Sequence, residues 1–128
     1  MILTAVTILG LAAMVMASDA EELVVRKGQE KTSSRGKITV KFVEIVEDSR
    51  CPPDVECVWA GNAKIRITLA KGRKAAKTFE LNSALKPDSI LFEGYDIRLV
   101  DVRPRPGERV KMVAMPPAAT ISITKHVK

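Results

Sequence analysis

The sequence has few of the residues that catalytic and metal sites most often use. Its 128 residues include one histidine, His126, and two cysteines, Cys51 and Cys57. One imidazole excludes a site that needs two or three histidines, and two thiols exclude a four-cysteine zinc site and a fold stabilised by many disulfides. Aromatic residues make up only 4% of the chain, so the mixture of basic and aromatic side chains that is typical of nucleic-acid binding is absent. We therefore expect no nucleic-acid partner.

Helical periodicity is also missing from residue 20 onwards, and strand-like alternation takes its place. Apolar and polar residues alternate most clearly over residues 63–69, and turn residues recur about every ten positions. Near residues 42–43 the apolar residues change from even-numbered to odd-numbered positions. This shift in apolar parity predicts a β-bulge there, and the parity shifts again at Val100. The pattern predicts a single all-β domain over residues 21–128, an antiparallel, immunoglobulin-like β-sandwich of about seven or eight strands.

The N-terminal segment differs in character from the rest of the chain. Residues 2–17 carry no charge and are almost all apolar. This run is too short to cross a bilayer comfortably, since about 20 residues are needed, and it is typical of a secretory signal peptide, although no basic residue precedes it. The small residues Ser18 and Ala20 predict a signal peptide over residues 1–20, with Glu21 as the new first residue. Cleavage after Ala17 is the alternative, and a buried first helix or strand is the other interpretation.

Cleavage would leave no stable membrane span, so we expect an exported protein, periplasmic or extracellular. The chain carries a net charge of +6, and its basic residues cluster in the segments 71–77 and 103–111. An excess of positive charge favours binding to anionic surfaces, for example lipid headgroups or acidic polysaccharide. A soluble protein with solubilising basic loops is the alternative interpretation.

The most distinctive segment spans residues 47–63. It holds both cysteines, the only tryptophan, two prolines and four acidic residues. In an exported protein, cysteines six positions apart are expected to form a disulfide that closes a tight loop. Zinc would need two further ligands, and the spacing is not that of a Cys-x-x-Cys redox motif.

Four residues around the disulfide are the candidate scaffold or binding residues: Asp48, Arg50, Trp59 and Asn62. The planar guanidinium of Arg50 can pair bidentately with Asp48, Asp54 or Glu56. Trp59 would suit an exposed anchor for a ligand, but we expect it to be mostly buried beside the disulfide. On that interpretation, its truncation to alanine would cost about 3–5 kcal/mol of stability.

The pattern EDSRCPxxxxCVWAGNA, which this chain matches at residues 47–63, resembles a recurrent motif of small exported bacterial proteins. In those proteins the motif lies between two β-strands, and the looser resemblance of the flanking segments covers most of the mature chain. The resemblance implies a secreted β-sandwich and supports the disulfide. The family has no assigned activity, so it supplies no functional residue.

Catalytic motifs are absent from the sequence. His126 lies near the C-terminal end, and there is no nucleophile elbow, calcium loop or phosphate-binding glycine loop. Met112, Met115 and His126 are possible soft or borderline metal ligands, but scattered core methionines are the preferred interpretation. We therefore predict a protein that is not an enzyme and has no metal and no cofactor.

The predicted function is that of an interaction or structural module of the cell envelope, with an unknown protein or an anionic envelope component as partner. The alternative is an exported inhibitor or carrier that uses the loop 48–62, because a rigid loop loses less entropy on binding.

Overall fold

The structure is a computed structural model that describes residues 10, 20–52, 56–59, 61–105 and 116–127. These residues form eight β-strands and no helix. The strands are β1 (Ala20–Arg26), β2 (Glu30–Thr32), β3 (Ile38–Asp48), β4 (Ala63–Lys71), β5 (Lys77–Asn82), β6 (Ser89–Phe92), β7 (Tyr95–Arg103) and β8 (Ala118–Lys125). Within this part of the chain, no helix is long and apolar enough to cross a membrane.

The strands form two antiparallel sheets of four strands each, in the orders β1-β8-β7-β6 and β2-β3-β4-β5. The predicted all-β, antiparallel β-sandwich is therefore confirmed. The architecture is that of immunoglobulin domains, but the strand order is not, since those domains place their first, second, fifth and fourth strands in one sheet. Here each sheet is built mainly from strands that follow one another along the chain.

Alternating side chains from both sheets make up one hydrophobic core. Strand β4 shows the reason most clearly, because every second residue from Ala63 to Leu69 is fully buried while the residues between them are partly exposed. Successive side chains of a strand point to opposite faces, so the apolar half of this alternation faces the second sheet. The buried apolar residues are Val25, Ile38, Val40, Phe42, Ala63, Ile65, Ile67, Leu69, Leu81, Phe92, Ile97, Leu99, Val102, Ala119, Ile121 and Ile123.

Irregular pairing occurs where the apolar parity of the sequence shifts. The pairing of β3 with β4 is interrupted between Phe42 and Glu44, which confirms the predicted bulge, and again between Ile45 and Glu47. The pairing of β7 with β8 is interrupted between Leu99 and Asp101, where Val100 marked a parity shift. An extra residue on one strand restores the inward orientation of the apolar side chains that follow it.

The loops fall into two groups at opposite ends of the sandwich. One end carries the β3–β4 and β5–β6 connections, which hydrogen-bond to each other. The other end carries the β2–β3, β4–β5 and β6–β7 turns, and the pairing of Ala20 with Thr124 places the start of β1 and the end of β8 there as well. We call these the cysteine end and the basic end.

Candidate functional site

The connection between β3 and β4, together with the last residue of β3, forms the cysteine loop (residues 48–62). Cys51 and Cys57 are joined by a disulfide, with their Cα atoms 5.9 Å apart, as the sequence predicted. Because β3 and β4 are neighbours in one sheet, both ends of the loop are held by strand pairing. The disulfide then closes a smaller ring within it.

Arg50 forms a bidentate ion pair with Asp48 at the base of this loop. The guanidinium Nε and Nη2 atoms donate to the two carboxylate oxygens of Asp48, each over 2.9 Å. The backbone N–H of Arg50 also donates to the same carboxylate, over 3.2 Å. The Arg50 side chain is only 10% exposed. The predicted pairing of Arg50 with a nearby carboxylate is thus confirmed, and Asp48 is the partner.

The same guanidinium reaches the second sheet. Its Nη1 atom donates to the carbonyl oxygen of Val102 in β7 over 2.5 Å, and its Nη2 atom donates to the carbonyl oxygen of Pro104 over 3.2 Å. The Asp101 carboxylate lies 3.8 Å from Nη1. Arg50 therefore connects a loop of one sheet to the end of a central strand in the other.

The electrostatic effect of this pairing is visible at Asp48. Burial raises the pKa of the Asp48 carboxyl, but the side-chain and backbone hydrogen bonds from Arg50, together with its positive charge, outweigh burial. The pKa of Asp48 consequently lies below its ordinary value of 3.8. Asp48 is therefore ionised at neutral pH and holds Arg50 in place.

Trp59 is more exposed than the sequence suggested. Its side chain is 56% exposed, and the neighbouring Val58 is 99% exposed. The indole Nε1 donates to the carbonyl oxygen of Ser49 over 2.9 Å, so the ring is fixed at the base of the cysteine loop without entering the core. The expectation of a mostly buried Trp59 was wrong, because more than half of the residue is exposed and its indole contacts the loop backbone at Ser49.

Gly61 and Ser49 close the base of the loop. The Ser49 hydroxyl accepts a hydrogen bond from the Asn62 N–H over 3.0 Å, and the Ser49 N–H donates to the Asn62 carbonyl oxygen over 2.8 Å. Gly61 has φ +73°, and a Cβ atom there would lie 2.6 Å from the Cα of Arg50. Only glycine allows the two backbone segments to approach so closely.

Asn62 is a buried scaffold residue, 5% exposed. Its side-chain N–H donates to the Asn82 side-chain oxygen over 2.9 Å, and its own side-chain oxygen accepts from the N–H groups of Ala84 and Leu85. Asn82 donates in turn to the carbonyl oxygen of Pro87. The two asparagines join the cysteine loop to the β5–β6 connection. Nothing in the sequence pattern pointed to Asn82, because its partner is 20 residues away.

Two open cavities lie beside this scaffold. The first, about 270 Å³, is lined by residues that include Arg50, Cys51 and Gly61. The second, about 310 Å³, lies on the outer face of the β1-β8-β7-β6 sheet. Ser83 and Val100 line both cavities.

The described residues of the cysteine end do not bring together a set of metal ligands. In the residues that the structure describes, no group of three or more histidine, cysteine, aspartate or glutamate side chains could hold a metal ion. His126 lies at the basic end, where its Nδ1 atom is 2.9 Å from the Oδ2 atom of Asp96. Met112 and Met115, like Asp54, lie outside the described residues.

Comparison with known proteins returned no match, since no family model, curated protein or solved structure is significantly similar to this chain. What the cysteine loop can bind therefore follows from its own geometry. That geometry combines a rigid scaffold with two adjacent, exposed apolar side chains.

Proposed function

We propose that this protein is a non-enzymatic, exported interaction module of the cell envelope, which binds a protein partner through the cysteine loop. The observation that carries the proposal is the exposure of Val58 and Trp59 on a loop whose base is fixed in place. The partner would offer an apolar recess for the tryptophan ring, with a hydrogen-bonding rim around it.

Burial of Trp59 by a partner would supply a substantial part of the binding energy. A tryptophan side chain buries about 150–250 Å² when fully covered, and about half of this surface is exposed here. At about 25 cal/mol per Å², covering the exposed half would contribute roughly 2–3 kcal/mol. Tryptophan is among the residues that most often dominate the energy of protein interfaces.

The scaffold supports binding because it reduces the entropy that the loop would lose. The disulfide, the Arg50–Asp48 pair and the Asn62–Asn82 hydrogen bond each restrict the loop before any partner arrives. The Trp59–Ser49 hydrogen bond holds the indole itself. A loop that is already ordered loses less conformational entropy on binding than a mobile loop.

The same geometry also suits the second candidate function, that of an exported inhibitor or carrier. A loop that is held by a disulfide and exposes apolar side chains could occupy the cleft of a target protein. The two functions differ in what the partner does. An inhibitor would reduce the activity of a target enzyme in proportion to its occupancy, whereas an interaction module would bind without such an effect.

Export remains part of the proposal. The disulfide and the signal-like residues 1–20 support it, since disulfides persist in oxidising compartments. The intact mass of the protein recovered from the exported fraction tests this directly. A mass that starts at Glu21 or close to it would support cleavage. A mass that includes residues 1–17 would show that the segment is retained, and it would then be a membrane anchor and not a signal peptide.

Binding is tested by photo-crosslinking from Trp59 to proteins of the native envelope fraction. The captured protein is then purified and titrated against the parent chain and the variant Trp59→Ala. We expect the variant to bind at least about tenfold more weakly, in keeping with the loss of an aromatic anchor. Equal affinity for parent and variant would exclude the cysteine loop as the binding surface.

The matched control is Leu91→Ala on the outer face of the other sheet. Leu91 is 60% exposed, similar to Trp59, but it lies in β6 and not in the cysteine loop. We expect this variant to bind the purified partner as the parent does. If both variants weaken binding equally, the effect is one of general surface hydrophobicity, and the proposal fails.

A further inference from the structure

The basic end of the sandwich gathers cationic side chains from segments that are far apart in the chain. The turn between β2 and β3 supplies Arg35 and Lys37, the β4–β5 hairpin supplies Lys71, Arg73 and Lys74, and the end of β8 supplies Lys125. We define these six residues as the basic cluster. They lie far from the cysteine loop, at the opposite end of the strands.

Contacts between the segments show that they share one surface. Gly72 donates its N–H to the carbonyl oxygen of Lys37 over 3.0 Å, which joins the two turns of one sheet. The ammonium group of Lys71 lies 5.9 Å from the centre of the Tyr95 ring, in the other sheet. Tyr95 is also the residue paired with Lys125. The ring of Tyr95 therefore stands at the middle of the basic cluster.

Few negative charges offset this cluster. Three carboxylates at the same end, Glu21, Glu93 and Asp96, each have a partner already. Glu21 accepts hydrogen bonds from Ser34 and Arg35 N–H groups, Glu93 lies 3.7 Å from Lys74, and Asp96 contacts His126. Among the described residues, no carboxylate lies within ion-pairing distance of the side chains of Lys37, Arg73 and Lys125.

We infer that the basic cluster docks the protein on an anionic phospholipid surface. Four of its six members are lysines, which are compact point charges and do not form the planar forks that recognise one carboxylate or phosphate. The cluster is spread over several loops and a strand end, and none of its six members lines either of the two cavities described above. A spread of positive charges over several loops suits the diffuse negative charge of a membrane better than it suits a single polymer strand, which would need a groove.

The start of strand β1 lies at the same end of the sandwich as the basic cluster. Strand β1 begins at Ala20, which pairs with Thr124 at the basic end, and the apolar residues 2–17 precede it by only two positions. If the basic cluster contacts the lipid surface, the cysteine loop lies at the other end of the strands. It would then meet its partner about one strand length, roughly 30 Å, from the lipid.

The inference is tested with vesicles and with two matched triple variants. The exported protein is sedimented with vesicles of about 30% phosphatidylglycerol in phosphatidylcholine, and with pure phosphatidylcholine vesicles as the neutral control. The test variant is Lys37→Gln/Arg73→Gln/Lys125→Gln. The control variant, Arg26→Gln/Lys27→Gln/Lys64→Gln, removes the same charge and the same residue types from outside the basic cluster. Thermal unfolding of both variants checks that the fold is retained.

We expect the parent and the control variant to bind the anionic vesicles, and the test variant to bind at least about tenfold more weakly. Binding should also fall at high salt, because surface charges are screened within about 10 Å at 0.1 M ionic strength. Equal binding to neutral vesicles, or equal loss in both variants, would overturn the inference. Binding to a soluble acidic polysaccharide without binding to vesicles would overturn it as well.

This test is independent of the proposed function of the cysteine loop. Trp59→Ala changes the opposite end of the sandwich, so it should leave vesicle binding unchanged while it weakens binding of the protein partner. Loss of vesicle binding in Trp59→Ala would assign lipid contact to the tryptophan and contradict the assignment to the basic cluster.

Discussion

Arg50 donates a hydrogen bond to the carbonyl oxygen of Val102, across the two sheets and over 52 positions of sequence. The residue belongs to the cysteine loop, whereas Val102 lies in a central strand of the opposite sheet. The same guanidinium holds Asp48 with two parallel hydrogen bonds. One side chain therefore fixes both the orientation of the loop and the closure of this end of the sandwich.

Removal of Arg50 should destabilise the protein strongly. Arg50→Met would leave the largely buried Asp48 carboxylate and the Val102 carbonyl without their donors, and loss of one partner of a buried ion pair typically costs about 3–5 kcal/mol. Urea unfolding measures this change. The control is Arg66→Met, because Arg66 pairs with Glu44 and Glu80 on an open sheet face, where the expected loss is below about 1 kcal/mol. Similar losses in both variants would contradict the structural role assigned to Arg50.

The disulfide should contribute a moderate share of the stability. Cys51→Ser/Cys57→Ser removes the covalent link that closes a loop with a sequence separation of 6, and chain-entropy arithmetic gives a loss of about 2–2.5 kcal/mol. The unfolding free energy of the oxidised parent and of the double variant is compared in denaturant. Titration of free thiols in the native exported protein provides the check, since reactive thiols there would show that the bond does not form.

Trp59→Ala should be only mildly destabilising. The ring is half exposed and makes one side-chain hydrogen bond, so we expect a loss of about 1 kcal/mol. Phe42→Ala is the comparison, because Phe42 is fully buried and its truncation should cost about 3–5 kcal/mol. A loss at Trp59 as large as the loss at Phe42 would show that the ring packs as a core residue.

Gly61→Ala should destabilise the protein more than a glycine substitution elsewhere. Gly61 and Gly28 both have a positive φ, +73° and +84°, but only at Gly61 would a Cβ meet backbone atoms within 3 Å. Gly28→Ala carries conformational strain alone, about 1 kcal/mol, and Gly61→Ala adds a clash with the backbone of Arg50. Thermal unfolding of the two variants side by side measures the difference, and equal midpoints would argue against the close approach.

Stability should decrease in acid because of Asp48. The hydrogen bonds and charge of Arg50 hold the pKa of Asp48 below its ordinary value of 3.8. A carboxyl whose pKa is lower in the folded state stabilises the protein above its unfolded pKa, and this contribution is lost as the pH falls through the folded pKa. We expect the unfolding free energy to fall below about pH 4, with a shallower fall in Asp48→Asn. If the unfolding free energy of parent and variant had the same pH dependence, Asp48 would not be the cause of the loss of stability in acid.

Strands with one buried face could be recognised from the sequence alone. In β4, the alternation of buried and partly exposed residues follows the alternation of apolar and polar residues in the chain. Strand β2 gave no such signal, because Glu30, Lys31 and Thr32 are all exposed. A short edge strand with no buried face has no reason to alternate, so its existence depends on pairing with β3.

The candidate site was predictable only where its contacts are local. The chemistry of Arg50 predicted a nearby carboxylate partner but left Asp48, Asp54 and Glu56 open, and the structure shows that Asp48 is a partner. The exposure of Trp59 could not be derived in the same way, since a tryptophan next to a disulfide is compatible with a core position and with a surface position. The tertiary structure decides between them, since it leaves more than half of Trp59 exposed.

By itself, the sequence determined the fold class, the pairing of Cys51 with Cys57 and the parity shifts, because each depends on side-chain type and on spacing along the chain. Only the tertiary structure decided that Arg50 reaches Val102, that Asn62 meets Asn82 and that lysines from three segments share one end of the sandwich. These contacts depend on which strands become neighbours. That order is set by the packing of two sheets around one core, and no local pattern in the chain encodes it.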